Sequence, residues 1–234
     1  MPDRVIGILG GMGPEATVDF FREIIQLTPA KKDQEHIPIL IYSDPRVPER
    51  TGAILHGGED PTPYLVKAAV TLETAGAGIL AMPCNTAHYY LPRLRPEVSI
   101  PILDMIEETY LSTRTRIGDA QAVGLLATKG TILSGVYRDV FGRHGMEVLV
   151  PDPGDQESIQ QAIFQIKAGS YDRTRQETFE RIGAALVARG AMAVILGCTE
   201  IPLGFNAGRV DYPVVNATRV LAQAAVDWAL RRRE

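Results

Sequence analysis

Cysteine is scarce in this chain, with two among 234 residues. Neither belongs to a Cys-x-x-Cys pair and no His-rich cluster accompanies them, so the ligands of a zinc site are missing and no metal is expected. No apolar stretch reaches the ~20 residues that a membrane helix needs. The opening Met1-Pro2-Asp3-Arg4 lacks the basic-then-apolar order of a signal peptide. Long basic runs are missing too, and the net charge of −4 points away from nucleic acid or an anionic membrane as partner. Small anionic ligands remain open, because a local cluster of cations can oppose the net charge. These absences set the expectation of a cytoplasmic protein whose thiols stay reduced.

What the chain does contain is a duplication. Gly76-Ala77-Gly78-Ile79-Leu80-Ala81-Met82-Pro83-Cys84 runs beside Gly190-Ala191-Met192-Ala193-Val194-Ile195-Leu196-Gly197-Cys198, an offset of 114 between residues 84 and 198. Val5-Ile6-Gly7-Ile8-Leu9-Gly10 has its counterpart in Ala122-Val123-Gly124-Leu125-Leu126-Ala127, and Ile100-Pro101-Ile102-Leu103-Asp104 in Tyr212-Pro213-Val214-Val215-Asn216. The three segments recur in the same order at slowly shrinking offsets, as two copies of one unit would after small deletions. The period is too long for a solenoid and near the usual size of a domain. We therefore expect two pseudo-symmetric α/β lobes with a cleft between them. The first takes residues 1–100 plus 213–234, and the second 101–212.

Short runs rich in Val and Ile alternate with helical patterns, which argues for mainly parallel sheets flanked by helices. Strands are expected near 4–10, 37–42, 78–83, 100–103, 121–127, 146–150, 192–197 and 213–215. After Pro14, a residue suited to a first helical turn, Val18, Phe21 and Ile25 recur at helical spacing. Leu65, Ala69 and Leu72 lead to Gly76, and Phe179, Ile182 and Leu186 lead to Gly190, each glycine suited to a left-handed cap. The proline-rich stretch 43–61 reads as a long loop of the kind that serves as a lid or binding segment. It sets Asp44, Arg46, Glu49 and Arg50 where a ligand would meet them.

In open parallel sheets the ligand crevice lies at the carboxyl ends of the strands. Both cysteines fall there, as do the Gly10-Gly11-Met12-Gly13 turn and the Thr128-Lys129-Gly130-Thr131 turn. A thiol just before a helix lies near unpaired backbone N–H groups, which favour thiolate and depress its pKa. A lone cysteine is most often a small buried apolar residue. Two at matching strand ends instead suit a reaction that removes a proton from one face of a carbon and delivers another to the opposite face. That is inversion at a carbon acid, with amino-acid α-carbons as the obvious substrates. The glycine turn misses the G-x-G-x-x-G spacing, so it carries little weight as a nucleotide site.

Gly10-Gly11-Met12-Gly13-Pro14-Glu15-Ala16-Thr17, Met82-Pro83-Cys84-Asn85-Thr86-Ala87-His88, Gly124-Leu125-Leu126-Ala127-Thr128-Lys129-Gly130-Thr131 and Gly197-Cys198-Thr199-Glu200 resemble the aspartate racemase branch of the aspartate/glutamate racemase superfamily. The resemblance spans nearly the whole chain. It implies a cofactor-independent amino-acid racemase, usually a homodimer, with Cys84 and Cys198 as the two acid/base residues. Glutamate racemases open on an Asp-Ser-Gly turn and carry a histidine where this chain has Glu200, which favours the aspartate-type branch. Members of that branch differ in the amino acids they accept.

Residue by residue, Met12, Asn85, Thr86 and Thr199 are expected at the substrate, with Asn85, Thr86 and Thr199 donating to its α-carboxylate, where charge builds as the proton leaves. Thr128 and Thr131 either add hydroxyls from the second lobe or cap a helix. Arg50 and Lys167 match positions that hold the side-chain carboxylate in aspartate racemases; a solvated loop charge and a helix-end lysine are the plain alternatives. His88 and Glu200 are placed one layer behind the substrate. The rival functions are a glutamate or broad-specificity racemase, a maleate isomerase-like enzyme, and a non-catalytic module that binds a small acid.

Overall fold

The computed structural model describes residues 4–119, 121–170 and 173–230. Among the described residues seven strands form two sheets, every pairing parallel: β1 (Ile6–Gly10), β2 (Ile39–Ser43) and β3 (Ile79–Ala81) in the order β2-β1-β3, and β4 (Ala122–Leu126), β5 (Glu147–Leu149), β6 (Val194–Leu196) and β7 (Val214–Asn216) in the order β5-β4-β6-β7. The expected strand near 100–103 is reduced to a single bridge, Leu80 to Ile102. With that bridge in place of β7, the first sheet repeats the strand order of the second. The duplication read from sequence is thus one of topology as well.

The register explains why these strands read as apolar runs. Ile6 faces Ile39 and Ile79, while Gly124 faces Leu149 and Val194, and helices cover the central strands on both sides. Strand β1 is buried throughout, whereas edge strand β2 is only half so. Gly7 and Gly124 occupy equivalent places where a Cβ would lie 3.3 Å from Leu72 and 2.9 Å from Leu186 of the covering helices, so helix and strand approach too closely for a side chain to fit easily.

Two helices cross between the lobes. Helix Met105–Ile117 follows the first sheet, yet its Ile106 and Tyr110 pack with Val123, Leu125, Ile195 and Val215 of the second. Helix Ala217–Ala229 follows β7, yet its Leu221, Ala225 and Val226 pack with Ile6, Ile8, Phe20 and Ile79 of the first. The chain therefore leaves the first sheet after Ile102 and the second after Asn216, a few residues beyond 100 and 212, because the strands carry on past their prolines. Burying each lobe's inner face under the other copy's helix ties the two lobes together.

Two local expectations are corrected. The helix Pro14–Leu27 buries Thr17, Phe20 and Ile24, while Val18 and Ile25 are 51% and 41% exposed; the period was right, but the buried stripe lies one residue earlier. The stretch 43–61 is not structureless: Glu49 accepts from Thr51 N at 3.0 Å and from Gly52 N, starting a helix Arg50–His56. Gly76 and Gly190 do take positive φ, +99° and +106°.

Candidate active site

The two cysteines follow β3 and β6 by two or three residues and line one narrow cavity. Each is 5% exposed and free. Asn85 and Thr86 line it beside Cys84, Thr199 and Glu200 beside Cys198, and Thr128, Lys167, Met12 and Arg50 complete it. Expected residues thus converge from six separate segments. Thr131 and His88 stand behind the lining. An outer mouth of 890 Å³ shares Met12, Glu49, Arg50, Phe164, Lys167 and Glu200 with the inner cavity. A wider groove of 1290 Å³ between helices 105–117 and 217–229 holds neither thiol.

Glycines shape the first-lobe wall. A Cβ on Gly10 would lie 2.4 Å from Thr17, and one on Gly11, at φ +95°, would lie 2.4 Å from the Asp44 backbone. The turn is therefore pressed between its own helix and the chain leaving β2. Thr17 Oγ1 fastens it, accepting from Gly11 N at 2.9 Å and donating to Gly13 O at 2.9 Å. The second-lobe turn is held from below, with Gln156 Nε2 donating to Ala127 O at 2.9 Å and Lys129 N to Gln160 Oε1 at 2.8 Å.

Glu200 is the hub of the Cys198 side. It is 3% exposed and accepts from Cys198 Sγ at 2.9 Å, from Gly13 N at 3.3 Å and from Thr199 Oγ1 at 3.3 Å, while Lys167 Nζ lies 3.6 Å away. Burial, then the Glu200 charge, push the Cys198 thiol well above its ordinary pKa, with Lys167 opposing them. This corrects the expectation of a depressed thiol there: the helix that follows, Ile201–Gly204, is a single turn, and desolvation beside a carboxylate outweighs its dipole. For Lys167, burial works against the charge, but Glu200 and then Cys198 outweigh it and raise the pKa.

The Cys84 side is built differently. His88 Nε2 accepts from Met105 N at 3.0 Å, so Nδ1 carries the proton and donates to Cys84 O at 2.9 Å. Burial lowers the His88 pKa and keeps the ring neutral. The histidine thus grips the backbone of Cys84. Thr86 Oγ1 meets Thr128 Oγ1 at 3.0 Å and Thr131 Oγ1 at 2.8 Å, joining the lobes, while Thr128 also caps the helix Lys129–Ser134 by accepting from Thr131 N at 3.1 Å.

Arg50 is 7% exposed. Its Nη1 donates to Val47 O at 3.2 Å and Pro48 O at 3.0 Å, and its Nη2 to Met12 O at 3.2 Å, while Nε has no partner. Of five donors, those three bonds leave Nε–H and one Nη2 hydrogen, and the edge that Nε and Nη2 share is one that can meet a carboxylate with two parallel bonds. Asp44 and Arg46 instead pair with each other at 2.7 Å, outside the lining. Sequence reasoning missed Thr51 and Phe164, which line the cavity, and Tyr137, whose Oη bonds Asn85 Oδ1 at 2.6 Å. Tyr137 is 52 residues from Asn85 in the chain, and no motif links them.

A buried pair of thiols beside amide, hydroxyl and guanidinium groups, at the strand ends of two like lobes, suits an isomerase of carbon acids. Comparison with known proteins agrees. Residues 9–225 match the Asp/Glu/Hydantoin racemase family. A broad specificity amino-acid racemase of Bacillus subtilis, RacX, is 29% identical over 97% of this chain and 98% of its own length. The aspartate racemase of Picrophilus torridus superposes with a TM-score of 0.85 at 29% identity, covering 97% of this chain and 94% of that one. An aspartate racemase homologue from Pyrococcus horikoshii does so with 0.79 at 28%, covering 97% and 99%. This chain belongs to the Asp/Glu/Hydantoin racemase family, and it is an amino-acid racemase.

Proposed function

We propose that the protein is a cofactor-independent aspartate racemase in which Cys84 and Cys198 work on opposite faces of the α-carbon. The observation that carries this reading is that both thiols, from equivalent strand ends, line the same narrow cavity. In one direction the Cys84 thiolate takes the α-proton, and the electron pair of the broken C–H bond delocalises into the α-carboxylate. The Cys198 thiol then delivers its own proton to the other face, so the enantiomer leaves with Cys84 as thiol and Cys198 as thiolate. The opposite direction starts from that second form. The Sγ–H bond to Glu200 supports Cys198 as the thiol before substrate arrives.

Asn85, Thr86 and Thr199 donate to the α-carboxylate as its charge grows. Thr128 adds a hydroxyl from the second lobe, held in place by Thr131, and Met12 closes the wall. The open edge of Arg50 takes the side-chain carboxylate. Lys167 supports it electrostatically while sharing its charge with Glu200. His88 and Glu200 act through the cysteines they hold. We place the protein in the cytoplasm, as a homodimer.

A broader substrate range is the second reading. It is favoured by the pairing of Lys167 with Glu200, which leaves Arg50, among the described residues lining the cavity, as the cation free for an acidic side chain, and by the broad specificity of the Bacillus relative. Incubating the purified protein with each common L- and D-amino acid, with no added cofactor, tests both readings through the enantiomer ratio. Aspartate should racemise fastest, and Cys84→Ala and Cys198→Ala should each abolish turnover while staying folded. Faster racemisation of neutral amino acids would support the broad reading, and near-normal turnover in either variant would overturn the two-thiol mechanism.

A further inference from the structure

Asn85 is 2% exposed and lines the cavity beside Cys84, yet its side-chain nitrogen makes no hydrogen bond among the described residues. Its oxygen is engaged. Tyr137 Oη donates to Asn85 Oδ1 at 2.6 Å, from the first turn of the helix Val136–Gly142 in the other lobe. Tyr137 is 1% exposed and is among the largest fully buried side chains. It packs on Phe141 with ring centroids 5.7 Å apart, and so has little room to turn.

An amide has two ends of opposite character, and a carboxylate distinguishes them. The NH₂ end donates to it, whereas the oxygen end repels it. Leaving a buried amide nitrogen unsatisfied is costly, on the order of 1–3 kcal/mol, unless a partner arrives. Asn85 lines the cavity that also holds Cys84, Thr86 and Thr199, where such a partner would arrive.

We infer that Tyr137 is a positioning residue for the racemisation: by donating to Asn85 Oδ1 it fixes the amide with its NH₂ end toward the substrate's carboxylate. The inference rests on the reading of Asn85 as a carboxylate donor. It goes beyond that reading in assigning the amide's orientation to a tyrosine that touches no substrate. Because the bond crosses from one lobe to the other, the donor is set only when the two lobes are docked.

Tyr137→Phe keeps the ring and removes the donor, and a double-mutant cycle with Asn85→Ala tests the link. Removing an oxyanion donor outright costs about 10²–10³ in kcat, so Asn85→Ala should fall in that range. Tyr137→Phe, which loosens the amide without removing it, should lower kcat by about 10–100-fold. Its KM should rise by less than kcat falls, no more than about 3–10-fold, since the bond matters most when charge builds. Adding Tyr137→Phe to Asn85→Ala should lower kcat by less than about threefold more, because the orientation of a missing amide is irrelevant. Calorimetric titration with succinate, a dicarboxylate with no amino group, gives a second readout. Tyr137→Phe should weaken it about 3–10-fold, and only when Asn85 is present.

Wild-type kcat in Tyr137→Phe, or an equal loss with and without Asn85, would overturn the inference and leave Tyr137 a packing residue. Should Tyr137→Phe not fold, Asn85→Asp decides. It keeps an acceptor for Tyr137 but presents oxygen to the carboxylate, so it should bind succinate more weakly than Asn85→Ala; equal or tighter binding would overturn the inference. If the wild type racemised no amino acid but the Asn85-dependent loss of succinate binding held, the proposed function would fail, and Tyr137 would stand as the residue that orients Asn85 toward a bound carboxylate.

Discussion

At the scale of single residues, charge placement separates the two thiols. Cys198 shares a buried hydrogen bond with Glu200, and that carboxylate also gathers Gly13, Thr199 and Lys167. Its negative charge disfavours thiolate, so removing it must lower the Cys198 pKa. In Glu200→Gln, alkylation of Cys198 by iodoacetamide, followed by peptide mass spectrometry, should reach its half-maximal rate at a lower pH than in the wild type. Lys167→Met should move that midpoint the other way, because the lysine opposes the rise. A midpoint unmoved by either change would show that burial alone sets the thiol. Arg50 gives a second residue-scale test. Arg50→Ala should cost aspartate ~2–5 kcal/mol in kcat/KM, the loss of a buried charge-assisted pair, and cost alanine far less. Equal losses for the two substrates would contradict the assignment of Arg50 to the side-chain carboxylate.

At the scale of elements, the close approach of two helices positions Arg50. A Cβ on Gly130 would lie 2.7 Å from Thr51 Oγ1 and 2.9 Å from Thr51 Cα, so the helix Lys129–Ser134 rests directly on the helix Arg50–His56. Gly130→Ala should push the latter outward, costing about 1–3 kcal/mol of stability and at least tenfold in kcat/KM. Denaturant unfolding and kinetics on the same sample check it; unchanged kinetics would mean that Arg50 is held independently of this contact. This is also where sequence reading stopped short. Alternating apolar runs and strand-end cysteines made the sheets legible, because parallel strands buried on both faces have a composition that loops lack. The helix Arg50–His56 was hidden among prolines, and the buried stripe of helix 14–27 was misread by one residue because Thr17 and Ala16 look less apolar than Val18. The Tyr137–Asn85 bond joins elements of different lobes and leaves no local pattern. The rise of the Cys198 pKa was equally illegible, since it depends on how deeply Glu200 is buried beside the thiol.

At the scale of the whole molecule, duplication explains the chemistry. Two copies of one α/β unit put equivalent strand ends on either side of a shared cavity, and the exchanged helices 105–117 and 217–229 fix how the copies meet. A reaction with mirror-related reactant and product is well served by a scaffold that supplies a like group from each side. The most direct test is the fate of hydrogen when L-aspartate reacts in D₂O. If the two thiols serve opposite faces, the donating thiol has already exchanged with solvent. D-aspartate formed early should then carry deuterium at Cα, while the remaining L-aspartate stays largely protiated, because the thiol that took its proton holds protium and returns only that. D-aspartate that forms early with its original protium would contradict the account, since one base would then have carried the proton across.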